Sequence, residues 1–137
     1  MVSLPILDPL RLRPNGAGPI LLICDHATNA IPAVHADLGL SPEQLADHIA
    51  WDPGAAGVTQ ALSNLLDCPA ILARASRLLI DCNRHPADVD AIAEISEITS
   101  IPGNANLSPD KVAARIAAYH TPFHAGIEQV RADLGPQ

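Results

Sequence analysis

Aromatic residues are almost missing from this chain: one Trp, one Tyr and one Phe among 137 residues, about 2% of the total. Hydrophobic content is nevertheless 48%, so Ala, Leu and Ile must do the packing. Lys111 is the only lysine, no Lys/Arg run exists, and the net charge is −7. A nucleic-acid binder needs a basic footprint to neutralise phosphates, so that class is argued against. An acidic total leaves room for an anionic small substrate, because one arginine can dominate a local site. No Cys-x-x-Cys pair is present. Cys24, Cys68 and Cys82 are odd in number, widely spaced and in or beside apolar runs. Free buried thiols in a reducing, cytoplasmic setting are therefore expected. No apolar run approaches membrane-spanning length, and no basic segment precedes an apolar stretch near Met1, so neither a membrane span nor a signal peptide is expected. A Gly-x-Ser-x-Gly elbow is lacking and the cysteines have no obvious electropositive partner, which weakens nucleophilic Ser or Cys catalysis. Gly16 and Gly18 form a Gly-x-Gly pair, but ahead of a strand, whereas a dinucleotide fingerprint follows one.

What is present reads as alternating strands and helices. The apolar run Pro19 to Ile23 predicts a strand buried on both faces, ending in Cys24-Asp25-His26-Ala27-Thr28-Asn29. Ser41-Pro42-Glu43-Gln44 has the form of a capping box with proline at the first helical position, predicting a helix to about Ala50. Asp52-Pro53 opens a second helix to about Leu66, with Asp52 as its cap. Pro69 to Ala73 reads as a second strand and Leu78 to Cys82 as a third. From Pro86 to Leu107 loops are expected. Ser108 caps a last helix that Pro122 should kink or restart. One α/β domain follows: a mostly parallel sheet flanked by helices. At this length it would bury roughly two thirds of its unfolded surface.

Polar groups unloaded at strand ends lie where open α/β sheets bind ligands. His26, with Asp25 beside it, reads either as a zinc ligand or as a loop histidine held by hydrogen bonds. Asp52 is fully explained as a helix cap, yet a carboxylate there could also reach a metal. Arg84 after Asn83 offers a planar fork for a carboxylate, or is a surface arginine paired with one of the chain's acids. Arg74 and Arg77 could share that task or face water. His120 and His124 stand four apart, and a structural or rim role suits them best with Pro122 between. His35, His48 and His85 read as solvated positions, His85 adjoining Arg84.

Five segments together resemble the N-formylglutamate amidohydrolase family: Cys24 to Pro32, His48 to Ala56, Ser76 to Arg84, Ile101 to Asn104, and Tyr119 to His124. They occur in family order across nearly the whole chain. The resemblance implies a metal-dependent amidohydrolase of zinc-carboxypeptidase-like (phosphorylase/hydrolase-like) architecture, cleaving the N-formyl or N-acyl amide of an acidic amino acid such as N-formylglutamate. A cytoplasmic place in histidine degradation goes with it. Carried over by residue, His26 and Asp52 would hold Zn2+, Asp25 and His26 would be catalytic, and Asn83 and Arg84 would bind the substrate carboxylate. The implied partner is a small anionic N-acyl amino acid, with no nucleic acid and no membrane. Family members continue past this length with a second half bearing another histidine motif, so the chain is expected to be the N-terminal part of a longer fold. Where the zinc-carboxypeptidase pattern has a glutamate three residues after its first histidine, this chain has Asn29. The alternatives are a truncated, non-catalytic carboxylate-binding domain and a generic α/β domain with structural histidines.

Overall fold

The computed structural model describes residues 2–136. Its main sheet has three short strands: β1 (Leu10–Leu12), β2 (Leu22–Cys24) and β3 (Ala70–Leu72), in the order β1-β3-β2. β2 runs parallel to β3, pairing Ile23 with Ile71, while β1 runs antiparallel, pairing Arg11 with Ile71. The sheet is thus mixed, and the expectation of a mostly parallel one gives way to one parallel and one antiparallel pair. Central β3 is buried throughout, whereas Ile23 on the outer strand β2 is 50% exposed. The reading of β2 as buried on both faces is corrected accordingly: an apolar run does not reveal whether its strand is central or at an edge.

Helix α1 (Pro42–Ala46) carries the anticipated capping box. The Gln44 N–H donates to Ser41 Oγ at 3.2 Å, and the Ser41 N–H donates to Gln44 Oε1 at 2.9 Å. It stops short of Ala50 because Asp47 is extended and its carboxylate takes the His48 N–H at 2.6 Å, a local bond that competes with the helix. Helix α2 (Ala55–Leu66) follows Gly54, whose φ of 90° suits glycine. Asp52 does not cap it with its side chain; only its carbonyl takes the Ala55 N–H at 3.0 Å. After α2 the chain turns through Asp67 into β3, and Gly16 packs there so tightly that a Cβ would lie 2.5 Å from the Asp67 carbonyl oxygen. That close approach explains a glycine the dinucleotide motif did not.

Leu78 to Cys82 is not a strand. It is a run of turns buried on every side, with Leu79 at 0% exposure. Its backbone is satisfied by side chains and loops: the Leu78 carbonyl takes Asn104 Nδ2–H at 2.8 Å, the Leu79 carbonyl takes Arg115 Nη1–H at 3.0 Å, and the Asp81 N–H donates to the Ala91 carbonyl at 2.7 Å. The segment expected as loops contains a small hairpin, β4 (Ile95–Ser96) with β5 (Thr99–Ser100), and a single 3-10 turn, Pro102–Asn104. Another 3-10 segment, Ala33–Gly39, precedes α1.

The last helix is continuous, and Pro122 does not break it. Between α3 (Pro109–Arg115) and α4 (Thr121–Leu134) lies a π-helical turn, Ile116–His120, in which the Thr121 N–H reaches back five residues to the Ile116 carbonyl. The widened turn takes up the donor that proline lacks. Leu79, Ile80, Ile49, Leu38 and Tyr119 form the main core; Ile71, Phe123 and Val130 join the sheet to α4; Cys24, Ala70 and Leu72 pack with Ala55 and Ala56 of α2.

Candidate active site

β2 ends by handing its carbonyl at Cys24 to the Ala73 N–H (2.9 Å), which anchors the turn that follows. The His26 carbonyl then takes the Asp52 N–H at 3.0 Å, so the entrance to α2 is pinned beside the strand end. The imidazole of His26 is buried between two carboxylates. Its Nε2 lies 2.7 Å from Asp81 Oδ1, and its Nδ1 lies 3.2 Å from Asp52 Oδ2. Arg77 closes the ring, with Nη1 3.4 Å from Asp52 Oδ1 and Nη2 3.2 Å from Asp81 Oδ2. Asp81 also accepts the Asn83 N–H at 2.9 Å.

The Asp81 hydrogen bond holds the His26 pKa above the usual histidine value; burial and Arg77 oppose this, and the Asp81 and Asp25 charges add to it. Burial alone would raise Asp81, but hydrogen bonds from His26 and Asn83, together with the charges of His26 and Arg77, hold it below the usual carboxylate range. Asp52 is different in kind: its side chain is 53% exposed, so one carboxylate of the pair faces solvent while the other is sealed in.

The donor set suits two ligands of a zinc ion. Neighbouring ligands on a tetrahedral zinc at about 2.0–2.1 Å stand roughly 3.3 Å apart, close to the His26 Nδ1–Asp52 Oδ2 separation. An Nε2–H donated to Asp81 leaves the Nδ1 lone pair toward Asp52, the usual carboxylate–histidine arrangement behind a metal ligand. Among the described residues, no cluster of three or more His, Cys, Asp or Glu side chains could hold a metal. Asn29, which stands where the zinc-carboxypeptidase pattern has its glutamate, donates its Nδ2–H to the Leu45 carbonyl at 2.8 Å.

The structure thus brings together His26 and Asp52, joined by Asp81 and Arg77. Asp25 is half-buried beside them. Asn83 and Arg84 follow Asp81 after Cys82: the Asn83 N–H and the His26 ring meet at the Asp81 carboxylate, while the Arg84 N–H donates to the Asp81 backbone carbonyl at 3.1 Å. Their side chains are exposed on an open recess of about 440 Å³ shared with His85, His120 and His124. Arg84 Nη1 lies 3.2 Å from Asp90 Oδ2 there. His120 and His124 stack with ring centroids 4.4 Å apart, and their Nε2–H groups donate to the Arg84 and Cys82 carbonyls at 2.9 Å each. Arg74 only touches the Asp8 carbonyl at 3.5 Å. His48 is exposed between Asp47 and Glu97, as a solvated position should be, but His35 is not solvated: it is half-buried, 2.8 Å from the Tyr119 hydroxyl.

Asp81 is the member that sequence reasoning missed. A signal existed: an acid inside Leu78-Leu79-Ile80-Asp81-Cys82 is an acid in a buried run, and a buried charge must be paired.

The profile of the N-formylglutamate amidohydrolase family matches residues 18–135. The chain belongs to this family. As an N-formylglutamate amidohydrolase family member it also resembles a solved structure, the gene product Atu2144 from Agrobacterium tumefaciens, with TM-score 0.90 and 38% identity over 92% of this chain. The chain spans 50% of the length of that relative. No curated protein matches it. Among the described residues no helix is long and apolar enough to cross a membrane.

Proposed function

We propose that this amidohydrolase family member cleaves the N-formyl, or another small N-acyl, amide of an acidic amino acid, with N-formylglutamate as the expected substrate. The observation that carries this reading is the His26 imidazole set between exposed Asp52 and buried Asp81, with Asp81 two residues before the Asn83-Arg84 pair. His26 and Asp52 would hold a zinc ion, with a third ligand from outside the described residues. Zinc bound there supplies a polarised carbonyl and a water with its pKa lowered to about 7. Asp81 keeps the imidazole in the tautomer that presents Nδ1. Asp25, beside His26, would accept the proton of the attacking water and return it to the leaving amine. Arg84 would clamp the substrate carboxylate through a bidentate pair of N–H donors, and Asn83 would fix its orientation. In this reading the chain forms one part of a longer, zinc-carboxypeptidase-like fold and acts in the cytoplasm.

The test compares N-formylglutamate with N-formylalanine in protein supplied with zinc. Preference for the acidic substrate, with metal retained on gel filtration and lost in His26→Ala, supports the reading. A folded protein that holds no zinc and hydrolyses neither substrate overturns it and leaves a non-catalytic carboxylate-binding domain.

A further inference from the structure

Arg115 is a guanidinium buried to 3% exposure with no carboxylate against it among the described residues. Its acceptors are all neutral: Nη1 donates to the Leu79 carbonyl at 3.0 Å and to Asn104 Oδ1 at 2.7 Å, and Nη2 donates to the Gly103 carbonyl at 3.1 Å. Asn104 can accept because its own Nδ2–H groups are fixed on the Leu78 and Ala93 carbonyls. These bonds use three of the five donors of a guanidinium. A buried cation satisfied only by neutral dipoles retains most of its charge for whatever lies next to it.

What lies next to it is a cavity of about 260 Å³. Arg115, Lys111 and His35 line it together with apolar Val34, Leu38 and Leu107. Lys111 forms no ion pair among the described residues, in a protein whose acids outnumber its Lys and Arg fifteen to eight. Two cations lacking acid partners among the described residues line one cavity together with apolar side chains, a combination that an anion with a hydrocarbon tail would complete. The volume falls just under the roughly 300–1,000 Å³ of ordinary ligand pockets, so the ligand is small. This cavity shares no lining residue with the His26 ring or the Arg84 recess.

We propose that the cavity is a second, separate site for a small organic monocarboxylate, its carboxylate set against Lys111 and the remaining N–H groups of Arg115 and its aliphatic tail against Val34, Leu38 and Leu107. The site needs neither zinc nor hydrolysis, so its success or failure is independent of the function proposed above.

The experiment is a titration of the full chain with isovalerate, followed by amide NMR shifts, with isovaleramide as the uncharged probe of the same shape. Expected are saturable shifts at His35, Gly103 and Lys111, with the amide binding about tenfold more weakly, the difference between charge-assisted and neutral hydrogen bonds. Lys111→Met should weaken isovalerate by about tenfold while thermal unfolding stays within a few degrees of wild type. Leu107→Trp, which fills the cavity from its apolar side, should abolish the shifts in protein that still folds. Equal affinity for acid and amide, shifts that never saturate, or unchanged binding in both variants would overturn the proposal.

Discussion

Replacing Asp81 by Asn removes one negative charge while keeping side-chain size. Asp81 takes the His26 Nε2–H at 2.7 Å and the Asn83 N–H at 2.9 Å on Oδ1, and Arg77 Nη2–H at 3.2 Å on Oδ2. An asparagine carbonyl can still accept at the first position, but its amide would face the Arg77 guanidinium, donor against donor. Both Asp81 and His26 have only 8% of their side chains exposed, so the pair is a buried one, and removing one partner of such a pair costs about 3–5 kcal/mol. Arg77 is 30% exposed and its share is screened, and the retained carbonyl recovers one hydrogen bond. The lower end, about 3 kcal/mol, is the expected loss. In a chain of this length that corresponds to a fall in Tm of roughly 10 °C. Urea unfolding followed by far-UV circular dichroism, with chelator present, measures it; the midpoint should fall with the m-value unchanged. Glu128→Gln, which breaks the exposed Arg131 pair, is the control and should change nothing measurable. An Asp81→Asn loss below about 1 kcal/mol, no larger than a surface pair gives, would refute the view that this ring ties the turn after β2 to the turns from Leu78 to Cys82.

Three further outcomes are expected. Arg84→Ala should raise KM for N-formylglutamate by about tenfold with kcat little changed, since the guanidinium is half-exposed and already shares Asp90; a fall in kcat alone contradicts the clamp. Burial, with Asp81 and Asp25 adding, pushes the Cys82 thiol up to about 12, so at pH 8 roughly one molecule in ten thousand carries the thiolate; iodoacetamide should label Cys82 only after unfolding, by intact mass. Burial lowers the pKa of His35, helped by Arg115, and of His120, helped by His124 and His85 against the Arg84 carbonyl and Asp81. At these two sites the unfolded chain binds more protons below about pH 6.5, so their contribution to stability should fall from pH 7 to pH 5, while His26 and His48, raised by hydrogen bonds to Asp81 and Glu97, contribute in the opposite sense. His35→Gln and His120→Gln should each shrink that fall, and an unchanged pH profile in both would contradict the assignment.

The strand leading to His26, the capping box at Ser41 and the extent of α2 were all legible, because each rests on local chemistry: an apolar run, a paired cap, a glycine or proline boundary. The misreadings share one cause. Leu78 to Cys82 has the composition of a buried strand, yet Asn104 and Arg115, about 25 and 35 residues on, supply the hydrogen bonds that a neighbouring strand would otherwise make. β1 was hidden because a three-residue edge strand between prolines carries too little pattern to register. Asp52 shows the limit from the other side: an Asp-Pro at a helix entrance predicts a cap, but His26 and Arg77 draw its carboxylate away. At the site, His26, Asp52, Asn83 and Arg84 could be picked out by residue type and motif, whereas the tie between them, Asp81, is a long-range contact that no spacing encodes.

The most direct measurement is formate released from N-formyl-L-glutamate by this chain purified with the remainder of the longer fold and supplied with zinc, with His26→Ala beside it. The account predicts formate and glutamate in equal amounts from the wild type and none from the variant. Correctly folded, zinc-loaded protein that releases no formate, or an active His26→Ala variant, would contradict it.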